Sequence, residues 1–281
     1  MIKVLVAFGT RPEAIKMAPL VKQLNLCDQI DTKVLVTAQH REMLDQVLEV
    51  FDIHPDFDLD LMKPNQTLSQ LSAKILSAMD DVYKAFLPDI VLVHGDTLTA
   101  FVVAQSAFYN NIDVGHVEAG LRTYNLASPW PEEGNRQLIS RIAKLHFAPT
   151  QISRQNLVNE GLNQENIYIT GNTVIDALLS VADQDNLPLP KLSDELLLKL
   201  DPKDKIVLIT GHRRENFGEG FKNICLALKE LALKNPNVKF IYPVHLNPNV
   251  KNVVNSYLFD IGNIALIPPQ SYLEFLCTRQ K

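Results

Sequence analysis

The sequence predicts an α/β protein built from parallel sheets that helices cover on both faces. Short β-branched runs alternate with longer segments whose apolar residues recur at helical spacing. Several of the short runs are apolar almost throughout, as in strands that are buried on both faces of a sheet. Strand and helix in repeated alternation are the signature of this fold class.

Prolines and charges interrupt this alternation in the segment DQDNLPLPKLSDELLLKLDPKDK. The break predicts a first domain over residues 1–171, a linker region over 172–204 and a second domain over 205–281, with a cleft between the domains. Only three strand–helix units follow residue 205, and the final CTRQK has no apolar periodicity that would continue them. We therefore expect the second domain to be incomplete.

The predicted strands can be read in order along the chain. In the first domain they are KVLVAF, TKVLVTA, DIVLVHG, DVGHVEA, LHFAPT and NIYITG, and in the second KIVLIT, VKFIYPV and NIALIP. The helices between them include HREMLDQVLEVF, LSQLSAKILSAMDDVYKAF and NTVIDALLSVA. The alternation of these segments indicates βαβ units and parallel sheets.

Composition argues against several classes of function. The 281 residues carry a formal net charge of −5, whereas a general nucleic-acid binder would show a basic surplus. Three scattered cysteines, Cys27, Cys225 and Cys277, indicate neither a disulfide framework nor a metal site. No apolar run approaches the roughly 18–20 residues of a membrane helix, and IKVLVAFG is too short for a signal core. We expect a cytoplasmic protein with no nucleic-acid or membrane partner.

Cations stand where the first strand ends and the first helix begins, in IKVLVAFGTRPEAIKMAPL. Gly9 permits a tight turn, and Pro12 suits the start of a helix. Arg11 and Lys16 add full charges to the partial positive charge of the helix N-terminus, which favours an anion such as phosphate. The alternative is a capped helix with two solvated cations, which the local sequence taken alone slightly favours.

Acidic residues follow other strands of the predicted sheet. Asp96 comes after DIVLVHG and Glu118 after DVGHV, while SPWPEEGNR begins a helix with Glu132 in its first turn. Each carboxylate taken singly fits a structural role, and Glu132 with Arg136 has the spacing of a common surface ion pair. Ligands bind beyond the carboxyl ends of parallel strands, and crowded carboxylates can exchange protons. Together the three acids therefore predict an acid–base site.

The second domain offers a further cluster of positive charge. His212 and the two arginines after it follow the strand KIVLIT. The stretch GEGFKN is rejected as a dinucleotide fingerprint, because Asn223 stands at the third glycine position and no strand directly precedes it. We interpret His94, His116 and His245, in or near strands, as packing residues, since a single strand histidine is most often one.

Eight motifs in order closely resemble the non-hydrolysing UDP-N-acetylglucosamine 2-epimerase family, from residue 2 to about residue 276. They are FGTRPEAIKMAPL, TAQHREMLDQ, VLVHGDT, GHVEAGLRT, SPWPEEGNR, ITGNTVIDAL, TGHRREN and YPVHLNP. The resemblance implies two Rossmann-like domains facing a cleft, the GT-B arrangement, and a homodimer. It also implies interconversion of UDP-GlcNAc and UDP-ManNAc, for cell-surface polysaccharide precursors, without a cofactor. The implied route eliminates UDP to 2-acetamidoglucal and adds it back.

The resemblance also implies roles for individual residues. Its catalytic positions correspond to Asp96, Glu118, Glu132 and His212, and which carboxylate removes the proton is left open. Its substrate-binding positions correspond to Arg11 and Lys16 near the phosphates, Arg136 beside a carboxylate, and Gln270 and Phe275 at the uracil. Glu42 and Asn65 fall in the region where some relatives bind UDP-GlcNAc as an activator.

The chain departs from the family after YLEFL. The family's D-S-G-G-x-Q-E-E type motif and a later arginine do not follow, which suggests a truncated or frame-shifted sequence and leaves the activity of this chain open. The residues leave three alternative functions open. They are a GT-B glycosyltransferase, a non-catalytic nucleotide-sugar binder, and an epimerase that hydrolyses its substrate.

Overall fold

The chain forms two compact units, Met1–Ser180 and Val181–Lys281. The computed structural model describes residues 1–38, 41–63, 66–182, 205–211, 218–270 and 272–274. Most of the predicted linker region, residues 183–204, lies outside the described residues. Each unit has its own parallel sheet and its own hydrophobic core.

The first unit contains a seven-stranded sheet in which every paired strand is parallel. Its strands are β1 (Ile2–Phe8), β2 (Ile30–Val36), β3 (Phe57–Asp58), β4 (Ile90–His94), β5 (Asp113–Val117), β6 (Leu145–Ala148) and β7 (Ile167–Ile169). All six strands predicted for this domain are confirmed. Strand β3 was not predicted, because two residues are too few to show a periodicity.

Helices connect these strands along the chain. They are α1 (Arg11–Asn25), α2 (Arg41–Phe51), α3 (Leu68–Phe86), α4 (Leu98–Tyr109), α5 (Glu132–Ile142), α6 (Gln151–Asn159), the short 3₁₀ helix Gln164–Asn166, and α7 (Thr173–Ala182). Threonine side chains cap four of the helices by accepting a hydrogen bond from the backbone three residues on; these are Thr10, Thr67, Thr97 and Thr150. The caps explain why these helices begin where they do.

The central strands are buried on both faces of the sheet. Leu5 and Val6 point to opposite faces of β1, and both are fully buried. Leu5 belongs to a core shared with Val91 and Val93 of β4 and with residues of α3, α4 and α5. This two-sided burial accounts for the nearly continuous apolar sequence of the strands.

The second unit contains a three-stranded parallel sheet with the order β10-β9-β8. Its strands are β8 (Lys205–Leu208), β9 (Val238–Pro243) and β10 (Ile264–Ile267), connected by α8 (Glu219–Lys234) and α9 (Pro248–Leu258). All three predicted strands are confirmed. Tyr242 lies in the core of this unit and donates a hydrogen bond to the Gly211 carbonyl at 2.7 Å.

Strand order determines where a ligand can bind to the first sheet. The order β3-β2-β1-β4-β5-β6-β7 places β1 beside β4, and the chain leaves these two strands in opposite directions across the sheet. In open parallel sheets such a switch point leaves a crevice at the carboxyl ends of the strands. In the part of the chain that the structure describes, no helix is long and apolar enough to cross a membrane.

We expect Gly120→Ala to destabilise the first unit more than Gly161→Ala does. Both glycines have positive φ, so each alanine costs about 1–2 kcal/mol in backbone strain. At Gly120 the added Cβ lies 2.2 Å from the carbonyl oxygen of Ser153, whereas no described atom lies within 4 Å of the one at Gly161. Overpacking at Gly120 adds roughly 1–3 kcal/mol. Urea unfolding followed by circular dichroism measures both losses, and equal losses would contradict this packing.

Candidate active site

A buried carboxylate joins the turns that follow β1 and β4. Glu13 Oε2 accepts hydrogen bonds from the backbone nitrogens of Gly9 (3.1 Å) and Thr10 (2.8 Å), and Glu13 Oε1 accepts one from the Thr97 hydroxyl (2.7 Å). Burial raises the pKa of Glu13, and these hydrogen bonds oppose the rise. Sequence reasoning missed Glu13, although the spacing of Thr10 and Glu13 in TRPE is that of a capping box.

Gly9 is needed for space beneath the first of these turns. A Cβ at Gly9 would lie 2.3 Å from Thr37 Oγ1 and 2.4 Å from Thr99 Oγ1. The two threonine hydroxyls are themselves hydrogen-bonded at 2.8 Å. Close packing, in addition to the turn that the sequence suggested, therefore requires glycine at this position.

Lys16 and Glu118 form an ion pair at the carboxyl edge of the sheet. Lys16 Nζ lies 2.8 Å from Glu118 Oε1 and 2.6 Å from Oε2, and the two side chains are 24% and 12% exposed. The alternative in which Lys16 is a solvated cation is therefore wrong. Glu118 has a φ of +61°, a left-handed conformation that is uncommon outside glycine and that concentrates at functional sites.

Helix α5 holds the turn after β4 through its first residues. Arg136 Nη2 lies 2.5 Å from Asp96 Oδ2, and the Asn135 amide donates a hydrogen bond to the Asp96 backbone oxygen at 2.9 Å. Arg136 Nη1 also lies 3.5 Å from Glu133 Oε2. The alternative of a surface ion pair between Glu132 and Arg136 is therefore replaced by contacts of Arg136 with Asp96 and Glu133.

The three predicted acids influence one another. Burial raises the pKa of Asp96, the Arg136 guanidinium lowers it, and the negative charges of Glu132 and Glu118 raise it again. The pKa of Asp96 lies above its ordinary value as a result. Asp96 can therefore change its protonation state nearer to neutral pH than an exposed aspartate can.

Glu132 and its neighbour Glu133 play different parts. Glu133 is buried and accepts hydrogen bonds from the backbone nitrogens of Thr123 and Tyr124, both at 3.0 Å. Glu132 is partly exposed, as is Arg11, and neither side chain forms an ion pair or hydrogen bond with another residue in the described ranges. Glu133 thus holds the loop at Thr123 and Tyr124, whereas the charges of Glu132 and Arg11 are partly exposed to solvent.

Three buried histidines lie on adjacent strands beneath the acids. They are His94 on β4, His116 on β5 and His146 on β6, and burial lowers the pKa to about 3 for His94 and His116 and to about 4 for His146. All three are therefore neutral at pH 7. His116 Nε2 donates to the Gly95 carbonyl oxygen at 2.7 Å, since a carbonyl oxygen can only accept.

The remaining predicted residues fall in the second unit or outside the described residues. Gln270 follows β10, and its amide nitrogen donates to the Pro268 carbonyl oxygen at 2.7 Å. His245 follows β9 and accepts a hydrogen bond from the Asn247 backbone nitrogen at 3.1 Å. His212, Phe275 and Asn65, together with the side chain of Glu42, lie outside the described residues. Within the described ranges, no cluster of three or more acidic, histidine or cysteine residues could hold a metal ion.

Known proteins are similar to this chain in sequence and in fold. Residues 22–281 match the family described as UDP-N-acetylglucosamine 2-epimerase. The Yersinia pestis protein named UDP-N-acetylglucosamine 2-epimerase is 55% identical over 277 residues, which are 98% of this chain and 73% of that protein. The crystal structure of UDP-GlcNAc 2-epimerase from Neisseria meningitidis, bound to UDP-GlcNAc, is 50% identical with a TM-score of 0.87, covering 100% of this chain and 76% of that one.

A third similarity is to the S. aureus MnaA structure with UDP, which is 44% identical with a TM-score of 0.85 and covers 98% of this chain and 71% of that one. The fold and site define an α/β protein of the Rossmann-like class, with carboxylates and cations gathered at the switch point of its first sheet. The chain belongs to the UDP-N-acetylglucosamine 2-epimerase family. The resemblance drawn from the eight motifs is confirmed.

Arg136→Gln and Glu132→Gln should shift the pKa of Asp96 in opposite directions. Arg136 lowers that pKa through its positive charge and Glu132 raises it through its negative charge. Removing the first should raise the pKa of Asp96, and removing the second should lower it. NMR titration of ¹³C-labelled aspartate measures both changes. Lys144→Gln, which removes the partner of Asp113, is the control and should leave Asp96 unchanged, and a shift in the same direction for both test variants would refute the arrangement.

Proposed function

We propose that the protein interconverts UDP-GlcNAc and UDP-ManNAc by inverting C2 of the sugar, as a non-hydrolysing epimerase without an oxidising cofactor. Membership of the family supports this proposal. So do the solved relatives, one from Neisseria meningitidis bound to UDP-GlcNAc and one from S. aureus with UDP. The single observation that carries it is that the negative charges of Glu118 and Glu132 act on Asp96, a partly buried carboxylate that is paired with Arg136 after β4.

The chemistry explains why such a site is needed. The C2 hydrogen of the sugar is a poor acid, because no adjacent carbonyl stabilises the carbanion. When the C1–O bond to UDP breaks as the C2 proton is removed, the electron pair of the C2–H bond forms a C1=C2 double bond. The electron pair of the C1–O bond leaves with UDP as its negative charge. Return of UDP to C1 and of a proton to the other face of C2 then gives the epimer. No electrons are gained or lost overall.

The acids of the first unit suit the proton transfers. Removal and return on opposite faces of C2 require one group that accepts a proton and another that supplies one. Asp96, whose pKa is raised by burial, keeps its proton to a higher pH than an exposed aspartate does, while Glu118 and Glu132 complete the set of acids. Arg136 positions Asp96 through the 2.5 Å contact with its carboxylate.

The cations suit the departing diphosphate. Arg11 lies in the first turn of α1, where the helix dipole also favours an anion. Lys16 lies one turn further along the same helix. Positive charge at this edge stabilises the charge that develops on UDP. His212 contributes to the same task, and Gln270 and Phe275 hold the uracil, as the family resemblance implies.

The remaining parts of the proposal follow from family membership. Residues 1–171 supply the acid–base site, and residues 205–281 supply part of the UDP-binding domain. The protein works as a cytoplasmic homodimer and provides UDP-ManNAc for cell-surface polysaccharide precursors.

In heavy water, the chain should introduce deuterium at C2 of UDP-GlcNAc and UDP-ManNAc. The C2 proton exchanges with solvent while the glucal intermediate is bound, and mass spectrometry and NMR detect the label. Asp96→Asn should lower the exchange rate by about 10²- to 10⁴-fold, as loss of an acid–base group does. Asp113→Asn, at an exposed acid paired with Lys144, is the control and should exchange at the wild-type rate.

The same experiment separates the rival functions. A glycosyltransferase leaves the C2 hydrogen in place, and a hydrolysing epimerase accumulates free ManNAc and UDP, which chromatography detects. Absence of deuterium from C2 in the wild-type chain would refute the proposed reaction.

Arg11→Gln should weaken the binding of UDP. A hydrogen bond to a charged group contributes about 1.5–3 kcal/mol, which corresponds to roughly 10- to 100-fold in affinity. Lys22→Gln is the matched control, since Lys22 lies in the last turn of the same helix and carries the same charge. Isothermal titration calorimetry measures both affinities. An Arg11→Gln affinity equal to that of Lys22→Gln would show that Arg11 does not hold the diphosphate.

A further inference from the structure

The ion pair between Lys16 and Glu118 conflicts with the work proposed for both residues. Lys16 Nζ contacts both oxygens of the Glu118 carboxylate, at 2.8 and 2.6 Å. An ammonium held by both carboxylate oxygens is already paired with a negative charge, so its partner changes when it pairs with a phosphate. A ligand phosphate that attracts Lys16 therefore has to separate the pair.

Separation would leave the Glu118 carboxylate without its ion-pair partner. Its side chain is only 12% exposed, so few water molecules can replace the ammonium. A mostly buried carboxylate without hydrogen-bond donors is strongly destabilised. The negative charge of Asp96, which interacts with that of Glu118, adds to the difficulty. Another donor is needed once Lys16 leaves.

His94 is placed to be that donor. Within the described ranges, Lys16 and His94 are the two basic side chains within 4 Å of the Glu118 carboxylate. His94 Nε2 lies 3.8 Å from Glu118 Oε2, which is too far for a hydrogen bond. The same nitrogen is buried and has no hydrogen-bond partner among the described residues, and the side chain is only 4% exposed.

The chemistry of His94 also fits. Burial, together with the nearby charge of Lys16, lowers the pKa of His94 to about 3, so the ring is a neutral imidazole. A neutral imidazole carries one N–H proton, and in the tautomer with that proton on Nε2 it can donate one hydrogen bond from Nε2. Such a donor stabilises the carboxylate without cancelling its charge, so that Glu118 stays able to accept a proton.

We propose that His94 is a positioning residue that donates a hydrogen bond from Nε2 to Glu118 Oε2 when Lys16 moves to a phosphate of the bound nucleotide. The inference rests on the proposed function, since that function places a diphosphate beside Lys16. The required movement is about 1 Å, from 3.8 Å to hydrogen-bond distance. The two residues start from neighbouring positions, because β4 and β5 are paired, with His94 opposite Val117, the residue before Glu118.

The direct test is NMR of the whole chain with ¹⁵N-labelled histidine, with UDP as the probe. Addition of UDP should move the His94 Nε2 proton downfield and slow its exchange with water, because it enters a hydrogen bond to a carboxylate. His146 serves as the internal control and should not change. A His94 signal that is the same with and without saturating UDP would overturn the inference.

Variants give a second, independent measurement by calorimetry with UDP. His94→Leu should bind UDP roughly 5- to 100-fold more weakly, because Glu118 then loses Lys16 without a replacement donor. His94→Gln keeps a donor close to the position of Nε2 and should recover most of the affinity. His146→Leu removes a comparably buried histidine from β6, which lies two strands away from β4 in the sheet. This variant should bind UDP like the wild type.

The outcomes separate this inference from the proposed reaction. Equal UDP affinities of wild type, His94→Leu and His94→Gln would refute the role of His94, even if the wild type introduces deuterium at C2. If His94→Leu weakens UDP binding and His94→Gln does not, the role of His94 is supported, even if the wild type introduces no deuterium. Thermal unfolding shows whether His94→Leu is folded. If that variant does not fold, the NMR measurement on the unmodified protein decides.

Discussion

The parallel pairing of β1 with β4 is the constraint on which the site depends. Val4 to Ala7 of β1 lie beside Ile90 to Val93 of β4, although more than eighty residues separate them in the chain. The pairing aligns the ends of both strands, so that Glu13 can bind the two following turns at once. Lys16 and Glu118 then meet across the same edge, which makes a single charged surface from distant parts of the chain.

Two of the three predicted acids on this surface are paired with cations. Asp96 faces Arg136, and Glu118 faces Lys16. In a partly buried site each pair is stronger than it would be in water, but removing one member leaves a costly unpaired charge. A diphosphate that took Lys16 or Arg136 as its partner would leave a carboxylate without its cation. In the proposed reaction, anion binding and the environment of the acids are therefore linked through these shared cations.

The sequence carried enough information for the strands and for the placement of the acids. Strands buried on both faces are apolar throughout, and helix α3 begins and ends where its apolar spacing does, at Leu68 and Phe86. Asp96 and Glu118 could be placed at one edge because parallel strands end on the same side of a sheet. Strand order alone, however, decides that Lys16 meets Glu118, 102 residues away, and no local pattern specifies strand order. Because strand order could not be predicted, neither could the hydrogen bond between Glu13 and Thr97 or the position of His94 beside Glu118.

The backbone of Glu118 is held in a strained conformation that lowers the stability of the fold. A non-glycine residue with a φ of +61° is strained by roughly 1–3 kcal/mol, and a glycine would remove the strain. Glycine would also remove the carboxylate that Lys16 contacts. The surrounding structure fixes the strained turn, since the Ala119 nitrogen donates to the Phe147 carbonyl oxygen and Gly120 packs directly against the backbone of Ser153. Strain held in place by the two residues that follow Glu118 indicates that the position of this carboxylate matters more than the stability lost in placing it there.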